Sequence, residues 1–198
     1  MARRSIETRP YAAIALTLGI FATVLFVALT AFLLAITYTS GKLAIPVVIL
    51  VASLLYYRGS ARAAAYYIGA CVTAEILNAI LKHAVYRVRP HGVSPLLTAA
   101  GGYSYPSADA MLAVVIFGLG TLLLTWSIRS WTLRLAAIAA AALFVIAAAI
   151  ARVYLGAHWP SDVLGGVLAG SACGAFWLGA LSRLPSESSP SSDPPSGP

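Results

Sequence analysis

Apolar positions in this chain do not alternate with polar ones; they come in long blocks. Segments at about 11–37, 43–57, 63–83, 107–128, 132–152 and 160–181 are nearly free of charge, and Arg, Lys, Gly, Pro or Ser close them off. A helix crossing the hydrocarbon of a bilayer needs about 20 mostly apolar residues. Inside lipid, only helices and closed barrels satisfy their own backbone. Unbroken apolar runs therefore predict an all-α polytopic membrane protein, a bundle of six transmembrane helices. The second segment is the shortest and starts near Pro46, a residue tolerated in a first helical turn, so its ends are the least defined.

Composition agrees with that pattern. Of 198 residues, 60% are hydrophobic and 10% are charged, against about 25% charged in a soluble domain. So few polar side chains cannot cover a water-facing surface. The net charge of +7 would point to nucleic acid in a soluble protein, but basic residues flanking spans are what cytoplasmic loops carry. Nucleic-acid binding is excluded on that ground. Cys71 and Cys173 lie inside apolar runs without ligand-type spacing, so neither a disulfide nor a metal site is expected. The first apolar run is longer than the 7–15 residues, roughly, of a signal-peptide core and reads as a retained span. Residues 1–183 form one membrane domain. The tail LPSESSPSSDPPSGP, residues 184–198, has almost nothing to bury and is expected to be disordered.

With both termini on one side of a six-span bundle, that side holds Arg3, Arg4, Arg9, Arg58, Arg62, Arg129, Arg134 and Arg183. The other holds Lys42, Lys82, Arg87, Arg89 and Arg152. The excess places the termini in the cytoplasm and the protein in the plasma, or inner, membrane. Spans three and five then end on the outer face, where spans four and six begin. Lys82, Arg89, Ser107, Asp109, Arg152, His158 and Asp162 consequently arrive at one membrane surface. Gly166, Gly170 and Gly174, four residues apart in the sixth span, form a ridge for close helix packing.

Three cations held at the membrane against the orientation rule ask for a shared anion. Guanidinium groups match phosphate oxygens bidentately, and lysine supplies a point charge. Ser107 and the backbone N–H groups that open the fourth helix, from Ala108 on, add neutral donors at a positive dipole end. His158 stands four residues before Asp162 in HWPSD; a carboxylate reaching back to one imidazole nitrogen would leave the other as a base or nucleophile. Asp109, just inside the fourth helix, either complements the dipole or belongs to the reaction centre.

These residues resemble the signatures of the type-2 phosphatidic-acid phosphatase superfamily. KHAVYRVRP (82–90) has the lysine, the six-residue gap and the Arg-Pro of its first signature. YPSAD (105–109) falls where the family has Pro-Ser-Gly-His, and ARVYLGAHWPSD (151–162) carries the arginine, histidine and aspartate of its third. The likeness covers about residues 75–175. It implies that Lys82, Arg89, Ser107, the Ala108 amide and Arg152 bind phosphate, that His158 becomes a phosphohistidine, and that Asp162 orients it, without metal or other cofactor. It also implies a lipid phosphate or polyprenyl pyrophosphate substrate met at the extracytoplasmic face; protein partners are not indicated.

Two positions depart from the family pattern. Ala151 replaces a serine. Asp109 stands where the family has a histidine taken to assist the leaving group. As a substitute acid, Asp109 would donate to the leaving oxygen. As a dipole partner alone, it would leave slow turnover and a need for a good leaving group. As a repellent of phosphate, it would leave a hydrolytically impaired lipid-phosphate-binding member. A phosphotransferase is a further variant. His91, after Arg89-Pro90, is another possible proton donor, and His83 a weaker one.

Within the third span, Cys71, Glu75, Asn78 and Lys82 recur at helical spacing. An ionisable residue inside a span normally faces protein or water. Glu75 is expected to support Lys82 through Asn78; a proton-coupled transporter is the alternative.

Overall fold

The computed structural model describes the backbone of residues 9–90 and 102–183, with side chains from residue 16 onward except 39 and 40. Every regular element in these residues is helical: α1 Arg9–Gly41, α2 Ala44–Tyr57, α3 Ala61–Val85, α4 Ala108–Thr125, α5 Trp131–Tyr154 and α6 Pro160–Ser182. Five of them are long and apolar enough to cross a membrane, while α2 is shorter. Its 14 residues rise about 21 Å, less than the roughly 30 Å hydrocarbon thickness. The protein is a multi-pass membrane protein. The expected tail at 184–198 and His91 lie outside the described residues.

Local chemistry sets the helix ends. Ser60, Ser107 and Ser130 are N-caps whose hydroxyls accept from Ala63, Ala110 and Leu133 N–H groups, satisfying donors that a helix start leaves open. Pro160 opens α6, and the Asp162 carboxylate accepts the Trp159 N–H at 2.9 Å. The end of α3 departs from the usual glycine: Tyr86 takes the left-handed conformation at φ 54°. Its ring lies edge-on to Tyr103 at 4.6 Å. That contact anchors a conformation costing about 1–2 kcal/mol outside glycine.

The centre of the bundle is α4. Ala110, Met111, Ala113 and Val115 are wholly buried, with α3, α5 and α6 packed around them. Between Val114 and Leu119 the helix widens into a π turn, where the Ile116 carbonyl receives the buried Tyr67 hydroxyl at 3.3 Å. Gly166 and Gly170 let α6 press on α4: a Cβ on either would lie 2.5 Å from the Ser107 or Met111 carbonyl oxygen. At Gly174 the nearest atom would be 4.0 Å away, so the close approach spans two of the three ridge glycines. The outward faces of α1 and α5 carry large apolar side chains such as Phe21, Phe26, Leu143 and Ile146, as a lipid solvent requires.

Candidate active site

Five polar side chains are buried together where α3 and α5 end and α4 and α6 begin: Ser104, Ser107, Arg152, His158 and Asp162. The last turn of α5 supplies Arg152. The chain then reverses through Gly156, whose φ of +70° suits a residue without a Cβ. The Ala157 and His158 N–H groups both donate to the Arg152 carbonyl, at 3.0 and 3.2 Å. Arginine and histidine are thereby tied to one tight turn.

His158 is 3% exposed. Its Nδ1 lies 2.8 Å from the Ser104 carbonyl oxygen. A carbonyl can only accept, so Nδ1 carries the hydrogen and Nε2 is the acceptor. Nε2 faces Arg89 Nη1 at 3.4 Å. Burial first, then Arg152 and Arg89, push the imidazole down to about 4, which keeps it neutral at physiological pH.

The sequence reading placed Asp162 on that imidazole. In the structure, Asp162 Oδ2 is 3.7 Å from Nδ1, beyond a hydrogen bond. Instead the carboxylate accepts from the Ser104 hydroxyl, the Trp159 N–H and Arg87 Nη1, the last two at 2.9 Å. Its backbone carbonyl accepts from the Ser107 N–H at 2.9 Å. Asp162 thus clamps the segment that holds out the Ser104 carbonyl, and acts on His158 through Ser104. Motif spacing did not reveal Ser104 or Arg87. Arg87 lies in the same basic stretch as Arg89; its guanidinium also donates to Ser161 Oγ at 2.6 Å and lies over the Trp159 ring.

Three cations lie within electrostatic reach of one another. Arg89 donates to the carbonyls of Gly102 and Ala157, and Arg152 is 6% exposed. Lys82, half-buried on α3, feels the charges of Arg89, Asp109, Glu75 and Arg152. Arg152 pairs Nη2 with Asp109 Oδ2 at 2.7 Å, while its Nε is buried with no partner among the described residues. A buried donor left open costs about 1–3 kcal/mol, and an anion in the pocket would remove that cost. Ser107, wholly buried, caps α4 beside this pocket.

The stripe on α3 is not continuous. Asn78 turns inward and donates to the Pro106 carbonyl at 3.3 Å, bracing the segment before α4. Glu75 faces outward along an apolar groove of about 290 Å³ lined by Val48, Val72, Ile76 and Ile116. A three-residue step turns a helix by roughly 60° from the starting face, whereas seven residues return to it. Glu75 therefore acts on Lys82 through its charge, without Asn78 as a bridge. His83 is exposed on α3, its ring nitrogen against the Ala79 carbonyl.

Comparison with known proteins places this geometry. An undecaprenyl-diphosphatase of Sulfolobus acidocaldarius (strain ATCC 33909) is 35% identical over 115 residues, covering 56% of this chain and 49% of that protein. The chain thus spans about half the length of that curated relative. The crystal structure of a transmembrane PAP2-type phosphatidylglycerolphosphate phosphatase from Bacillus subtilis superposes with a TM-score of 0.72 at 23% identity, over 81% of this chain and 80% of that one. This establishes a shared helical fold. The PAP2 superfamily profile matches residues 63–184, which include every buried residue of the pocket, and the chain belongs to that superfamily.

Proposed function

We propose that the protein is a metal-independent lipid phosphatase that removes the terminal phosphate of a lipid diphosphate through a phosphohistidine at His158. The observation that carries this reading is a buried, neutral imidazole whose Nε2 keeps its lone pair, 3.4 Å from Arg89 Nη1, set beside a buried arginine whose Nε has no partner among the described residues. Lys82, Arg89 and Arg152 hold the phosphoryl oxygens, with Ser107 and the first amides of α4, at Ala108, as neutral donors. Charge developing on those oxygens meets donors already in place.

The Nε2 lone pair attacks phosphorus in line, the P–O bond to the lipid breaks, and the lipid phosphate takes that electron pair. Nδ1–H stays on the Ser104 carbonyl, which supports the positive charge the ring acquires. Water then attacks phosphorus, the P–N bond breaks, and inorganic phosphate leaves. Asp162 acts as a positioning residue through Ser104.

Asp109, in a 2.7 Å ion pair with Arg152, is an acceptor there and a poor proton donor. A leaving phosphate needs little protonation whereas a leaving alcohol needs much, so the site favours lipid diphosphates over lipid monophosphates. The undecaprenyl-diphosphatase relative supports the same preference. In this reading the pocket lies at the outer leaflet of the plasma membrane with both termini in the cytoplasm, an orientation supported by the excess of basic residues on the termini's side.

The test is phosphate release by the purified protein from polyprenyl diphosphates, phosphatidic acid and phosphatidylglycerol phosphate. Release from the diphosphates at tenfold or greater kcat/KM is expected. Because Asp109 occupies Arg152, a second reading is a lipid-phosphate-binding protein without turnover; binding without release in the same assay would establish it.

A further inference from the structure

Asp109 occupies the cradle itself. Its Oδ2 takes one edge of Arg152, and the two side chains are only 18% and 8% exposed. Its charge also acts on Lys82 and Arg89, so one carboxylate lies within electrostatic reach of all three of the cations assigned to phosphate. The other oxygen points towards Gly41, at the end of α1, where a Cβ would lie 3.0 Å from Oδ1; the glycine leaves that space open to the carboxylate. Its place in the first turn of α4, directly after the Ser107 cap, tethers the carboxylate within reach of Arg152.

Carboxylate and phosphate oxygens seek the same guanidinium edges. A competitor tethered at the site acts at high effective concentration, and it is present at every step of a reaction cycle. Three cations around one phosphate dianion also create a specific problem once the lipid has left. The small product retains every contact that held the phosphoryl group, yet carries no tail to draw it out.

We propose that Asp109 is an internal competitor for Arg152, which weakens the hold on inorganic phosphate and speeds its release after the phosphohistidine is hydrolysed. This rests on the hydrolase reading above, but it assigns Asp109 to product release rather than to proton transfer. When phosphate binds, it takes the open Nε of Arg152 and displaces the carboxylate from Nη2. When the P–N bond has been cleaved, the carboxylate returns to Nη2 and the phosphate departs.

The experiment compares full-length wild-type protein with Asp109→Asn, and with Asp109→Ala as a second variant that frees Arg152 even if the amide variant folds poorly. Inorganic phosphate binding is measured by calorimetry, and formation of the lipid phosphate product from a lipid diphosphate is followed before and after the first turnover, alongside release of inorganic phosphate. The expected result is at least tenfold tighter phosphate binding in either folded variant. A burst of about one lipid phosphate per site, the product that departs before inorganic phosphate, should precede a slower steady state that phosphate inhibits more strongly than in wild type. Unchanged or weaker phosphate binding overturns the proposal, and so does a first turnover slowed with no change in phosphate affinity, the signature of a lost proton donor. Should wild type release no phosphate from any lipid, the hydrolase reading falls, while the binding comparison still decides whether Asp109 competes for Arg152.

Discussion

Substituting alanine at two glycines of one α6 ridge should have opposite effects. At Gly166 the added methyl would sit 2.5 Å from the Ser107 carbonyl oxygen and 3.2 Å from Ala110 Cβ and Met111 N. Backbone cannot swing aside, so α4 and α6 must part by roughly 0.9 Å to restore ordinary contact. The Ser107 N–H to Asp162 carbonyl bond, 2.9 Å long, spans the same gap and would break. Overpacking costs about 1–3 kcal/mol and the lost bond about 1 kcal/mol, so Gly166→Ala should destabilise by about 2–4 kcal/mol. At Gly174 the nearest atom, Leu119 Cβ, lies 4.0 Å away. That methyl fits, and replacing a mid-helix glycine gains about 0.5–1 kcal/mol. Thermal unfolding in detergent micelles should therefore show Gly166→Ala lowered by roughly 5–15 °C and Gly174→Ala equal to or above wild type. Phosphate release should fall at least tenfold in the first variant and hold in the second, because Ser107 and Asp162 frame the pocket. Equal shifts for the two, or a neutral Gly166→Ala, would refute the described approach of α4 to α6.

Because burial and two arginines push His158 from 6.5 to about 4, the unfolded chain binds a proton that the folded one refuses. The stability this residue contributes is complete above about pH 6.5 and is lost as pH falls through about 4, a swing of about 3 kcal/mol, readable from unfolding midpoints of wild type against His158→Gln. For the same reason kcat/KM should retain its nucleophile down to about pH 5, and an acid limb near 6.5 that vanishes in no other variant would contradict the burial argument. Asp162→Asn should lower kcat about 10- to 100-fold by loosening Ser104 and releasing Arg87. Arg87→Met should lower it less, about threefold to tenfold, since that guanidinium is 37% exposed; equal and complete loss in both would instead mark Arg87 as a phosphate ligand. Arg152→Lys should raise KM at least tenfold, because an ammonium cannot serve both Asp109 and a phosphate oxygen as the fork does.

The helices were legible because lipid imposes one rule on every residue of a span. The predicted segments at 63–83, 132–152 and 160–181 fall within Ala61–Val85, Trp131–Tyr154 and Pro160–Ser182. The gathering of Arg152, His158 and Asp162 was legible for the same reason, since span direction alone decides which ends meet. What escaped the sequence lies in the connections. Whether Asp162 or the Ser104 carbonyl meets His158 depends on how residues 102–107 fold back, and backbone carbonyls carry no sequence signature. Arg87 looked like one more basic flank until its partner Asp162 was seen. The break at Asn78 follows from a rotation of the helix that spacing of three and four residues only approximates, and the widened turn in α4 leaves the apolar run unchanged.

The central claim is that His158 receives the phosphoryl group in a pocket made by Lys82, Arg89 and Arg152. Mixing the protein with a lipid diphosphate labelled at the terminal phosphate, then quenching in alkali within milliseconds, tests it directly. The account predicts alkali-stable, acid-labile label on the peptide containing His158 and none in His158→Ala. Label retained by His158→Ala, or phosphate release undiminished in it, would contradict the account.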